Sequence, residues 1–306
     1  MSLKGLAHLS YVRERVHGHV FIVRCQSADG TEVAGRLSYV PDSGGTLRID
    51  GQAYRKVDIG EQSVNAYPLI SRFARDAVHL VAVDAIDRVW DPFAVRCDKA
   101  LDDGGNVALF FDELSSAVAL SGAGRTGLIG SRLVASAGVE AQSDFDIAVQ
   151  GAGGWASAAR VVDDWIRRGA ARVLPDQAFP EFDARRAELG LDADMLRSIR
   201  RDQWWRKLGI GTRLVSVSST TGLGSLPAEI SETPAEVLVD LSPGYVAGVA
   251  PYVCMAAVPG SALAGALHLS WFLRQGCRGR VKGRLVEAGG RQWVWMSKPE
   301  ELVLTA

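Results

Sequence analysis

The sequence predicts an α+β protein, with a central α/β domain of mixed sheet and helices between two small β-rich domains. Three observations predict this. Residues 1–92 alternate short apolar runs with turn dipeptides, as β-strands do. Residues 93–222 interleave helical periodicities with apolar strands. Beyond residue 223 the pattern returns to strands separated by glycine and proline. A chain of 306 residues has room for two or three domains, and the expected division is 1–92, 93–222 and 223–306.

In the first segment His19-Val20-Phe21-Ile22-Val23-Arg24-Cys25 reads as a strand and Asp29-Gly30 as its hairpin turn. Val33 to Val40 continues the hairpin into Pro41-Asp42-Ser43-Gly44-Gly45, a cluster of turn formers, and Leu47-Arg48-Ile49-Asp50 runs to a further turn at Gly51. His17 and His19 flank Gly18 and can face one way, as a pair of metal ligands would. With no third ligand beside them they read as a solvated strand end.

Pro92 marks the expected boundary. Val107, Phe111, Leu114 and Val118 then fall on one face of an amphipathic helix that precedes the Leu128–Ile129 strand. Gly153-Gly154 opens a second helix, with Trp155, Ala158, Ala159, Val162, Trp165 and Ile166 as its buried stripe and Gly169 as its end. Asp163 and Asp164 are adjacent, so on a helix they diverge by about 100° and read as a solvated face. A further helical segment around Met195, Ile199 and Trp204 is dense in Arg197, Arg200, Arg201, Arg206 and Lys207. It suits either contacts to phosphate with tryptophan stacking or a core stripe with a solvated basic face. In the last segment Val237–Leu241 reads as a strand, and Arg278–Val286 with Gln292–Met296 as a hairpin through Gly289-Gly290. Together residues 226–306 suggest a small β-barrel-like domain.

Composition narrows the partners. An apolar content of 47% and 23% charged residues are ordinary for a soluble globular protein. A net charge of −1 argues against a broad nucleic-acid footprint, leaving only local basic clusters. The four cysteines, at 25, 97, 254 and 277, show no CxxC spacing, which reads as reduced thiols in a cytoplasm, with no zinc site and no disulfide framework. The N-terminal stretch lacks the apolar core of a secretion signal. Leu241 to Leu273 contains no Asp, Glu, Lys or Arg, but Pro243, Pro251 and Pro259 interrupt it at equal intervals. Buried strands and turns suit that punctuation better than a membrane-spanning helix. The glycine-rich GAGRTG at 122–127 lacks the Gly-Lys-Ser/Thr of a P-loop.

The chemistry is carried by TGLIGSRLVASAGVEAQSDFDIAVQG, residues 126–151. The apolar Leu128–Ile129 run stops at Gly130-Ser131, where a small residue lets backbone approach a ligand and the serine adds a hydroxyl donor. A helix beginning there would present unpaired N–H groups to a phosphate. Asp144-Phe145-Asp146 then runs into Ile147-Ala148-Val149. In a strand the two aspartates project to one face, about 7 Å apart. Like charges so placed repel unless a cation sits between them, and Mg²⁺ takes one or two carboxylates together with substrate phosphates.

A strand ending in Gly-Ser followed by Ser-Asp-x-Asp on a second strand resembles the nucleotidyltransferase superfamily related to DNA polymerase β. Segments Gly35–Val40, Tyr54–Val57 and Trp204 through Val215 resemble archaeal-type uncharacterised nucleotidyltransferases. The resemblance implies a nucleotidyltransferase-like central domain in which Gly130, Ser131 and Arg132 contact the phosphates of an NTP, while Asp144 and Asp146 hold Mg²⁺ or Mn²⁺. The implied activity is transfer of an NMP from that NTP to a small molecule, an RNA or a protein, releasing pyrophosphate, with no membrane involved. Two features depart from the family: Ala135 stands where many members have glycine, and the loop to Asp144 is slightly long. The family also takes a third carboxylate from a later strand, and Gly211–Val217 offers none. Asp240 is the substitute candidate, or else it opens the Ser242-Pro243-Gly244 turn. A catalytically impaired nucleotide- or RNA-binding protein on the same fold is the alternative.

Overall fold

A computed structural model describes residues 6–27, 29–57, 79–94, 105–122, 124–135, 144–174, 208–220 and 223–225. It also describes the strands 230–241, 245–246, 253–258, 261–265, 277–288, 291–296 and 302–305. The architecture is α+β, with a curled antiparallel sheet, a mixed sheet and few helices. The described residues divide into two compact units, the first ending at Leu223 and the second running from Gly224. The basic, tryptophan-containing run around Met195 to Lys207 lies outside the described residues.

Seven strands of the first unit lie in the N-terminal sheet: β1 (Tyr11–Glu14), β2 (Val20–Gln26), β3 (Glu32–Pro41), β4 (Leu47–Ile49), β5 (Gln52–Lys56), β6 (His79–Ala82) and β7 (Ile86–Trp90). Their order is β4-β5-β3-β2-β1-β7, all antiparallel, with β6 paired to part of β3. The Asp29 turn forms as its residues dictate. Asp29 Oδ1 accepts the Thr31 N–H at 3.0 Å and the Ser27 hydroxyl at 2.6 Å, so the side chain closes the loop the backbone must make.

Strand alternation gives this sheet two apolar faces. Val12, Phe21, Val23, Val33 and Leu37 bury with Val57, Val81 and Ile86 on one side. Tyr11, Val20, Ile22 and Tyr39 fall on the other, buried with Ile49, Tyr54, Trp90, Leu133 and Val134. A sheet solvated on one side would carry polar residues there. Here the second face is apolar because the central sequence packs onto it.

The central part begins with α1 (Asn106–Leu120), which buries Val107, Phe110, Phe111, Leu114 and Val118, the expected face with Phe110 added. After β8 (Arg125–Ile129), the single turn α2 (Ser131–Val134) and β9 (Phe145–Gln150) comes α3 (Ala152–Arg167). Within α3, Ala158, Val162 and Trp165 are buried, while Arg160, Asp163 and Arg167 are exposed. Gly169, at φ 71°, ends it as expected: Gly169 N–H reaches Ile166 O at 3.0 Å and Ala170 N–H reaches Trp165 O at 2.9 Å. Those two bonds satisfy carbonyls that the helix leaves over. The helices pack through Phe110 and Trp165, edge to face with centroids 5.1 Å apart, and Trp165 Nε1–H donates to Glu113 at 2.6 Å.

Three more strands, β10 (Ala171–Val173), β11 (Leu208–Ile210) and β12 (Arg213–Thr220), complete a sheet ordered β10-β11-β12-β9-β8. Its β9–β12 pair is parallel and the others antiparallel. The chain after β7 turns back at once, and the Pro92 carbonyl accepts the Leu128 N–H of β8 at 3.2 Å. Both sheets therefore belong to the first unit.

The second unit's described residues are strands. Ile230–Leu241 pairs along its length with Cys277–Ala288, which pairs in turn with Arg291–Met296 and Leu302–Thr305. Ser261–Gly265 runs parallel to Arg291–Met296 and antiparallel to Val253–Val258. The expected C-terminal hairpin is present in register, Ala288 opposite Arg291, with its Gly289-Gly290 turn outside the described residues. Among the described residues no helix is long and apolar enough to cross a membrane.

Candidate functional site

The site is assembled by one bend. At the end of β8 the backbone turns through Gly130, at φ 75° and ψ −158°, a conformation that side chains on Cβ strongly disfavour. The bend folds α2 back beside β9. Because β8 and β9 are antiparallel with Ile129 opposite Asp146, Gly130 comes to lie against the Asp146 carboxylate. A Cβ on Gly130 would stand 2.5 Å from Asp146 Oδ2, well inside van der Waals contact. The glycine-serine bend and the second aspartate, sixteen residues apart in sequence, are neighbours.

On β9, Phe145 and Ile147 are fully buried, and alternation sends half-buried Asp146 to the other face; Asp144, also half-buried, immediately precedes the strand. Beside β9 runs β12, parallel and with Ser216 directly opposite Asp146. The Ser216 hydroxyl donates to Asp146 Oδ1, fixing the carboxylate's rotation. Sequence reasoning identified the β12 strand but not Ser216, because a register between distant strands has no local signal. Where the resembled family would supply a carboxylate from a later strand, the residue beside Asp146 is this serine.

The remaining expected residues surround that pair. Ser131, half-buried, starts α2, whose four residues form one turn only. The N-terminal helix dipole anticipated for a phosphate is therefore small. Arg132 lies along the entry of β9: its Nε–H donates to the Asp144 carbonyl at 3.3 Å and its guanidinium sits 3.6 Å from the Phe145 ring centroid. Leu133 and Val134 plug the apolar face of the N-terminal sheet, tying the bend to that sheet. Asp240 lies on Ile230–Leu241 of the second unit, opposite Arg278 in the backbone pairing.

The N-terminal sheet also faces the site, which the sequence did not foretell. Tyr11 and Tyr39 pack with ring centroids 6.1 Å apart at 34°. Burial pushes the Tyr11 phenol up to about 12. Arg36 opposes that shift, the Asp146 carboxylate adds to it, and Arg24 and the Gly130 backbone N–H oppose it. Tyr39 is likewise raised, by burial first, then by Tyr11 and Asp146. Both phenols stay protonated at neutral pH and stand within electrostatic reach of Asp146.

His17 and His19 do have a third ligand nearby, contrary to the reading of a bare strand end. Glu14 closes the same turn, and a ligand atom from each of the three lies within 4.8 Å of the others.

The donor set at β9 suits a hard divalent cation. It consists of Asp146 on the strand, oriented by the Ser216 hydroxyl, and Asp144 just before it, and Mg²⁺ is commonly held by one or two carboxylates plus phosphate oxygens. No family model, curated protein or solved structure matches the chain.

Proposed function

We propose that this chain is a metal-dependent nucleotidyltransferase that moves an NMP from an NTP to an acceptor and releases pyrophosphate. The observation that carries the reading is the closeness of Gly130 to Asp146, which sets a small-residue bend beside an Asp-x-Asp strand end. Asp144 and Asp146 would hold Mg²⁺ or Mn²⁺. When bound, the cation neutralises charge on the phosphates during in-line displacement. Gly130 offers no side chain, so the Asp146 carboxylate can lie against the bend, and the Ser131 hydroxyl beside it would donate to a phosphate oxygen. Ser216 keeps Asp146 turned toward the site. In the reaction a bond forms between the acceptor oxygen and the α-phosphorus while the bond from that phosphorus to the bridging oxygen breaks. The electron pair leaves with pyrophosphate, and the acceptor's proton passes to solvent or to a base.

Ser216 in the place beside Asp146 supports a second reading, nucleotide binding without turnover, since β12 carries no carboxylate between Arg213 and Thr220. Incubation of the purified chain with each labelled NTP and Mg²⁺ or Mn²⁺ separates the two. Label transfer or pyrophosphate release supports the enzyme, and saturable binding without either supports the binding protein. Asp144→Ala and Asp146→Ala are expected to abolish turnover, and Ser131→Ala chiefly to weaken NTP binding. Unchanged activity in Asp144→Ala would refute the assignment.

A further inference from the structure

We infer that Glu14, His17 and His19 form a transition-metal site of the zinc class at the turn between β1 and β2, separate from the Asp144–Asp146 pair. The turn supplies all three ligands from six consecutive residues. Glu14 ends β1, the chain reverses through Gly18 at φ 71°, and Glu14 N–H donates to the His19 carbonyl at 3.0 Å, closing the hairpin. Its side chain is only 2% exposed. The carboxylate is fixed by backbone N–H groups: Oε1 accepts from His17 at 2.6 Å and His19 at 3.2 Å, and Oε2 accepts from Val16 at 2.8 Å. Each carboxylate oxygen has two lone pairs; Oε1 accepts two N–H groups and Oε2 one, so coordination falls to Oε2.

The histidines stack beside this fixed anion. Their ring centroids are 5.3 Å apart at 25°, and His17 Nδ1 lies 3.4 Å from Glu14 Oε1. With metal–ligand bonds of about 2.0–2.1 Å, tetrahedral ligands sit about 3.4 Å apart. The three ligand atoms, within 4.8 Å of one another, need draw in by at most about 1.4 Å to reach that spacing. Rotation of His17, whose side chain is 50% exposed, provides much of that movement and leaves an approach from solvent.

Two imidazoles and one carboxylate select the metal. Mg²⁺ and Ca²⁺ prefer oxygen throughout, whereas Zn²⁺ takes mixed nitrogen and oxygen sets. Three protein ligands also leave a fourth position for water or a small ligand. The Asp144–Asp146 pair has the opposite preference, so one chain offers a borderline site and a hard site.

The test uses the full chain stripped with chelator and then titrated with ZnCl₂, with CoCl₂ for visible d–d absorption, and with MgCl₂. One equivalent of Zn²⁺ is expected to bind, displacing Co²⁺ that shows tetrahedral bands, while Mg²⁺ competes for neither. His17→Gln and His19→Gln should each weaken Zn²⁺ binding by at least about tenfold without changing the thermal midpoint in chelator. Asp144→Ala should bind Zn²⁺ as the parent does, which separates this site from the proposed nucleotide site. Zn²⁺ binding no tighter than in the double His17→Gln/His19→Gln chain would overturn the inference. Cobalt bands that survive in that double variant would overturn it too, and would leave Glu14 as a turn-closing residue alone.

Discussion

Replacing Gly130 by alanine attacks the bend on which the site depends, and its cost can be built from two parts. The first is backbone strain. At φ 75° and ψ −158° an alanine is held in a region almost reserved for glycine, for about 1–3 kcal/mol. The second is the contact of the new methyl with Asp146 Oδ2, 2.5 Å away. That atom belongs to a short side chain, so it can swing aside, but only by straining the hydrogen bond that Ser216 donates to Oδ1. Hydrogen bonds to charged groups contribute about 1.5–3 kcal/mol, so the backbone and contact parts are of similar size and their sum is about 2.5–6 kcal/mol. Peptide-resolved hydrogen exchange over residues 125–150 measures this locally, which a whole-chain melt across two units does not. Exchange there should speed by at least about tenfold in Gly130→Ala, since about 1.4 kcal/mol is a factor of ten. In Gly130→Ala/Asp146→Ala the contact part vanishes, so adding Gly130→Ala to an Asp146→Ala background should cost less than adding it to the parent. Equal costs in both backgrounds would refute the claim that Gly130 abuts Asp146. Parent-like exchange in the single variant would refute the bend itself.

Three further outcomes follow from the packing. Ser216→Asp places a second carboxylate against Asp146, so its thermal midpoint should fall in chelator and recover with Mg²⁺ by more than the parent's does. Ser216→Ala should show no such metal dependence. His8 is buried, with Nδ1 3.0 Å from Thr220 Oγ1. Burial first, and Arg24 second, push its pKa down to about 3 from an ordinary value near 6.5. Its contribution is complete above pH 6.5. As pH falls from 6.5 toward 3 the unfolded chain takes up a proton that the folded one refuses, and stability drops by up to about 1.4 kcal/mol per pH unit. Stability measured between pH 7 and 4.5 should therefore fall less steeply in His8→Gln, and identical slopes would count against the buried neutral ring. Leu114 is fully buried on α1 whereas Leu109 is 57% exposed. Leu114→Ala should cost about 2–5 kcal/mol in denaturant titration and Leu109→Ala less than about 0.5 kcal/mol.

Local chemistry explains which parts of the fold were legible. The α1 face, the Gly169 stop and the Asp29 turn each depend on residues within one or two turns of chain and stand as expected, whereas of the α3 stripe Ala158, Val162 and Trp165 are buried and Trp155, Ala159 and Ile166 only half-buried. β1 was not anticipated: its four residues include Arg13 and Glu14, which dilute the apolar alternation. Arg13 is held by Asp87 and Asp50, residues far away in sequence, at 2.9 and 3.0 Å. The His17–His19 pair was visible, but Glu14 was not joined to it, because only the reversal at Gly18 turns a three-residue offset into proximity.

By itself the sequence determined the glycine-serine bend, the Asp-x-Asp strand end and the apolar periodicities beside them, because spacing along one element sets which face a side chain takes. Only the tertiary structure decided that Gly130 touches Asp146, that Ser216 stands beside it, and that Tyr11 and Tyr39 of the N-terminal sheet look onto the pair. Those contacts join residues sixteen to well over a hundred positions apart. Their register is chosen by the simultaneous burial of Phe145, Ile147, Leu133 and Val134 against two sheets, and no single stretch of chain encodes it.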